Sequence, residues 1–156
     1  MKTKWAKLST SIVFAEFVGI LSGLLAGDIK TKYAQYVKPV LSPPDWLFGV
    51  MWPILYALMG WASYLIYVNS SQKETRRKAL CLYGIQLFLN FIWSIVFFRF
   101  DLLWGAFAII VALDILVFCT IKEFKKLNDS AAFLMVPYLV WILFATYLNA
   151  GVAFFN

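Results

Sequence analysis

Apolar residues run through this chain in five long blocks, and polar residues gather in the gaps between them. The blocks span residues 8–26, 46–68, 79–98, 102–121 and 131–153. Each is close to the length, about 20 mostly apolar residues, that carries a helix across hydrocarbon. None alternates apolar and polar residues as a membrane barrel strand would. Lipid offers the backbone no hydrogen-bond partners, so the blocks must be helices. Of 14 Lys and Arg and 8 Asp and Glu, only Glu16 and Asp114 fall inside them. The pattern predicts an all-α integral membrane protein, one domain over residues 1–156. Its five transmembrane helices form a bundle, with a long lid loop between the first and the second.

The gaps differ in kind. Residues 27–45 form the longest and contain Pro39, Pro43 and Pro44, which cannot continue a helix. A long aperiodic loop of this sort is often a lid or binding loop. Asp45, just before the second block, suits a helix N-cap. The gap between the third and fourth blocks is so short that those helices must be antiparallel neighbours. The first block ends with Gly19, Gly23 and Gly27 at four-residue spacing, a small-residue stripe for helix packing or a dimer face.

Composition agrees with the pattern. The chain has 156 residues, 63% apolar and 14% charged, where a soluble domain is about 45–50% and about 25%. It has no histidine, which removes Ser-His-Asp and Cys-His triads, imidazole zinc sites and a proximal haem ligand. Cys81 and Cys119 form no CxxC. No metal or cofactor site is expected. The first run is too long for a signal-peptide core and lacks a small-residue cleavage pattern, so it is read as an uncleaved helix.

Charge sets the orientation. Lys2, Lys4, Lys7, Lys73, Arg76, Arg77, Lys78, Lys122, Lys125 and Lys126 share one side of the bundle. Lys30, Lys32, Lys38 and Arg99 share the other. That bias places the N-terminus in the cytoplasm and the C-terminus outside. It also accounts for the net charge of +6 without a nucleic-acid partner.

The polar and aromatic residues inside the blocks form stripes. Phe48, Trp52 and Tyr56 recur every four residues and share a helix face. Gln86, Asn90, Trp93, Ser94 and Phe97 make a second stripe, and Pro137, Trp141, Ala145 and Asn149 a third. Amides are costly in lipid unless bonded, so Gln86, Asn90 and Asn149 should face the bundle interior. There they either glue helices together or orient a ligand in an aromatic pocket. Trp5, Trp46 and Trp104 sit near block ends and suit interfacial anchors.

Several of these residues form a recognisable signature. The run Lys38-Pro39, Ser42-Pro43-Pro44-Asp45-Trp46-Leu47-Phe48-Gly49, Trp52, Leu55-Tyr56, Met59-Gly60 resembles the tryptophan-rich sensory protein family. That family includes the translocator protein, or peripheral benzodiazepine receptor. Tyr83, Gln86-Leu87, Leu89-Asn90, Trp93 and Phe97-Phe98 agree, as do Pro137-Tyr138-Leu139, Trp141, Phe144-Ala145-Thr146 and Leu148-Asn149. The resemblance implies a five-helix bundle, often homodimeric, of bacterial type and in the cell membrane. It implies a porphyrin and drug site lined by Trp52, Trp141, Asn90 and Ala145, under a lid made by the first loop. Some bacterial members are reported to degrade protoporphyrin in light, which makes Trp52 and Trp141 the candidate catalytic residues.

The chain departs from the mammalian members at its end, Ala150-Gly151-Val152-Ala153-Phe154-Phe155-Asn156, which lacks the sterol motif of Tyr and Arg. A formal sterol pattern falls instead at Leu65, Tyr67 and Lys73. Residues and resemblance together predict a membrane protein that binds porphyrin or a related flat hydrophobic molecule, with transport or sensing as its use. The ring is expected between Trp52 and Trp141, near Phe48, Tyr56 and Trp93. Gln86 and Asn90 would orient it. Lys32 and Lys38, in the lid with Pro43, Pro44 and Trp46, would take the propionates. Two other readings stay open: a light-dependent porphyrin-degrading enzyme, and a membrane regulator acting through a protein partner.

Overall fold

The computed structural model describes residues 2–68 and 72–156. Its helices are α1 (Lys2–Ala26), α2 (Ile29–Gln35), α3 (Asp45–Tyr67), α4 (Lys73–Ser94), α5 (Leu103–Lys125) and α6 (Asp129–Phe155). A π-helical turn, Ile95–Arg99, extends α4. Five spans are long and apolar enough to cross a membrane: α1, α3, α4 with its π turn, α5 and α6. The short α2 lies in the first loop. Four of the five helices are longer than their apolar blocks, most visibly at Lys2 and Lys73, six residues ahead of the expected starts, while α3 matches its block to within a residue. Hydropathy marks the hydrocarbon boundary, whereas a helix continues into the headgroup layer, where lysines are solvated.

The ends have local causes. Gly27 stops α1 with φ of 86°, a left-handed value that costs glycine nothing. Asp28 then caps α2, its carboxylate accepting from the Thr31 N–H at 3.1 Å. Asn128 caps α6, accepting from the Ala131 N–H at 2.9 Å. At α3 the expectation is corrected: Pro44 holds the cap position and Asp45 is the first helical residue. An extended backbone at Pro44 suits a proline, and Asp45 still places its charge on the positive helix end.

The spans pack as a ring in the order α1, α3, α6, α5, α4 and back to α1. As the short connection requires, α4 and α5 are neighbours. The interior is filled from α3, α5 and α6 by Leu55, Met59, Ile110, Leu113, Met135 and Tyr138, all fully buried. Outward faces carry large apolar residues such as Phe14, Phe17, Phe118 and Phe133. In water these would be a liability; in a membrane they meet lipid. Helix α1 approaches α3 closely at Gly60, where a Cβ would lie 2.5 Å from the Ile12 Cα.

Candidate functional site

One end of the bundle holds a cavity of about 470 Å³ between α1, α2, the first half of α3 and the end of α4. The α3 wall is the ladder Phe48, Trp52 and Tyr56, set on one face by its four-residue spacing. Trp93 stands across from it, its ring 6.4 Å from Trp52, while Tyr56 lies 5.7 Å from Trp52 on the other side. The π turn adds Phe98 to this wall. It bonds residues five apart, the Phe100 N–H donating to the Ile95 carbonyl, so Phe98 stays near the Trp93 face, its ring 6.4 Å away.

The α1 wall is made of small residues. Gly19 meets the Tyr56 ring so closely that a Cβ there would lie 2.3 Å from it. Gly23 faces open space, and Ser22 donates to the Phe91 carbonyl at 2.9 Å. Glu16 brings one carboxylate to the wall inside the span. At the mouth, Trp46 and Lys30 line the opening, with Lys30 3.7 Å from Asp45. Both members of that pair are solvated, so it is weak. Among the described residues no cluster of three metal-ligating side chains occurs.

The loop over the mouth is fastened at several points. The Tyr33 hydroxyl donates to the Pro43 carbonyl at 2.9 Å, and its ring packs edge-on against Phe48 at 5.1 Å. Lys38 donates to the Tyr33 carbonyl and lies 4.7 Å over the Tyr33 ring. Lys32 and the Tyr36 hydroxyl both reach Asp101, Lys32 at 2.7 Å. Those two hydrogen bonds, Lys32 first, hold the Asp101 carboxyl below its ordinary range. Burial, then the Asp101 contact, pushes the Tyr36 phenol up. Asn156 clamps Val37 through both its backbone groups, at 3.0 and 2.9 Å, and Tyr147 donates to the Val40 carbonyl.

Residues 11–155 match the TspO/MBR family. The chain belongs to that family. It is 38% identical over 151 residues to the tryptophan-rich protein TspO of Archaeoglobus fulgidus, covering 96% of this chain and 97% of that one. It is 33% identical to the tryptophan-rich sensory protein of Cereibacter sphaeroides, over 96% of this chain and 90% of that one. It is 34% identical to the human translocator protein, over 85% and 78% of the two chains. Family and spans together make this an integral membrane protein.

Within this TspO/MBR fold the expected site residues divide. Phe48, Trp52, Tyr56, Trp93 and Trp46 line the cavity. Gln86, Asn90, Trp141 and Ala145 do not; they are buried in the packed interior. Phe48 lines the cavity and packs on Trp141 at 5.8 Å, so Trp52 and Trp141 do not bound one open slot. Asn90 is occupied by packing: its amide donates to the Tyr138 hydroxyl at 2.7 Å and its carbonyl accepts from Tyr56 at 3.4 Å. Gln86 is fully buried, its amide nitrogen 3.9 Å from the Met59 sulfur and its carbonyl oxygen without a partner among the described residues.

Lys38 is engaged within the loop and Lys32 with Asp101 of the α4–α5 connection, and the lysine at the mouth is Lys30. Pro43 serves Tyr33, and Pro44 starts α3. The glycine stripe also divides, since Gly19 packs on α3, Gly23 lines the cavity and Gly27 ends the helix. Of the three, Gly19 makes the close helix contact. Lys30, Tyr33, Glu16 and Phe98 are cavity residues that sequence reasoning passed over. Two carried a signal: Glu16 as an acid inside an apolar block, and Tyr33, which falls three before Tyr36 just after the Asp28 cap.

Proposed function

We propose that this TspO/MBR protein binds a flat apolar tetrapyrrole such as protoporphyrin in the cavity under the first loop, for transport or sensing. The observation that supports it is the aromatic wall: Phe48, Trp52, Tyr56 and Trp93 face one apolar space of about 470 Å³. That is within the range of about 300–1,000 Å³ typical of small-molecule sites. The ring lies against Trp52 and Trp93, not between Trp52 and Trp141. Lys30, which exchanges its loose partner Asp45 for a propionate, takes the place first given to Lys32 and Lys38.

Titrating the detergent-purified protein with protoporphyrin in the dark tests this reading through tryptophan fluorescence. Quenching is expected to saturate, and Trp52→Ala to weaken binding by about 5–150-fold, taking about 1–3 kcal/mol per stacked ring as the scale. Lys30→Ala should weaken it less, and Trp141→Phe least. Absence of saturable quenching would sink the proposal.

The second part of the proposal is the setting: a bacterial cell membrane, with the N-terminus in the cytoplasm and the cavity opening outward. The lysine and arginine bias supports it. A reporter active only in the cytoplasm, fused after Asn156, should stay silent; a strong signal would reverse the orientation.

A further inference from the structure

The bundle end opposite the cavity carries a second, wider cleft of about 830 Å³. It forms where the start of α1 meets the end of α3 and the first turns of α4. Sequence separates its residues by more than sixty positions; the fold gathers them. Lys4 and Lys7 come from α1, and Lys73, Arg76 and Arg77 from α4. Tyr67, Val68 and Leu80 supply an apolar floor, and Lys7 lies 5.6 Å over the Tyr67 ring.

The lining of this cleft is dominated by cations. Elsewhere four cations find carboxylates, Lys30 with Asp45, Lys32 with Asp101, and Lys78 and Lys126 with Glu123, while Lys38 and Arg99 donate to backbone carbonyls. Here five cations meet one carboxylate, Glu74. Glu74 sits in the first turn of α4, where it answers the positive helix end. Among the described residues Lys4, Lys73 and Arg77 have no carboxylate partner within 4.0 Å. Among the described residues no side chain caps the α4 N-terminus either, so the positive end of the helix adds to the field. Like charges held around one concave space repel one another unless an anion joins them.

From this convergence at the end of three membrane spans, we infer that the cleft seats the phosphate of an anionic membrane lipid. The cations and helix end take the phosphodiester, and the apolar floor takes the start of the acyl chains. Basic recesses between spans are a recurrent mode of headgroup binding. An uncharged sterol, although Tyr67 and Lys73 match its formal pattern, would leave the charge unanswered.

The experiment reconstitutes the full chain in bilayer discs of phosphatidylcholine with a minor share of phosphatidylglycerol. It measures enrichment of each lipid around the protein. Wild type should enrich phosphatidylglycerol. Lys4→Gln/Lys73→Gln/Arg77→Gln should lower the enrichment by about fivefold for each cation removed. The control Lys122→Gln/Lys125→Gln removes charge at the same end but outside the cleft, and should leave enrichment near wild type. Equal losses in the two variants would mean diffuse surface charge and overturn the site. Inorganic phosphate that displaces the lipid only at high concentration supports the lipid; displacement at low concentration would assign a soluble anion and overturn it. Unchanged thermal unfolding of the triple variant in phosphatidylcholine alone confirms that it folds.

Discussion

The two sides of the bundle treat polar groups in opposite ways. On the α5–α6 side most of them close on one another, while the Trp141 indole N–H and one Asp114 oxygen have no partner among the described residues. Trp93 donates to Asn149 at 3.0 Å, Asn149 to the Leu103 carbonyl at 2.9 Å, and Thr146 to Asp114 at 2.8 Å. On the α1–α2 side they collect around an open space, with Glu16 on the wall and Lys30 at the mouth. Residue types are shared between the sides, so type alone does not mark a binding face. Trp52 and Trp141 illustrate the point: one faces the cavity, and the other is buried behind Phe48. A polar group whose hydrogen bonds are complete inside the protein has little left for a ligand.

That contrast yields its largest test in a pair of variants. Asn149→Leu on the closed side leaves the Trp93 indole N–H and the Leu103 carbonyl without partners. Each orphaned buried group costs about 1–3 kcal/mol, so thermal unfolding in detergent should fall by several degrees. Gly23→Ala on the open side meets nothing within 4 Å. It should leave stability level or raise it by up to about 1 kcal/mol through helix propensity, while trimming the cavity and weakening porphyrin binding. A stable Asn149→Leu or an unstable Gly23→Ala would erase the distinction.

The same contrast explains what the sequence disclosed. Spans were legible because burial in lipid is a property of composition, and five apolar blocks leave five helices. The ladder Phe48, Trp52, Tyr56 was legible because four-residue spacing on one helix fixes a common face. What faced that ladder was not. Whether Asn90 meets a ligand or Tyr138 depends on where α6 lies, and periodicity within α4 carries no such information. Helix α2 is only seven residues in a polar gap, below the length at which an apolar rhythm can be read, although Asp28 marks its start. The π turn had no sequence signal, yet it helps keep Phe98 on the cavity wall.

The smallest expected effect tests the fastening of the lid, where the open side meets the closed one. Asp101 ties α2 to the α4–α5 connection through Lys32 and Tyr36. Its carboxyl titrates below its ordinary range in the folded protein. The tie is therefore at full strength above the ordinary carboxylate range and is lost as pH falls through the lowered value. With Asp101 and Lys32 side chains 47% and 36% exposed, solvent screens the pair, and about 0.5–1 kcal/mol is a fair scale. Porphyrin release in wild type should then stay level down to the ordinary aspartate value of about 3.9 and quicken only below it. Asp101→Asn should release faster at neutral pH and lose most of that dependence, and added salt should narrow the gap between the two proteins. If both proteins kept the same pH profile, the titration would belong elsewhere in the site, with Glu16 on the cavity wall the first group to replace by Gln.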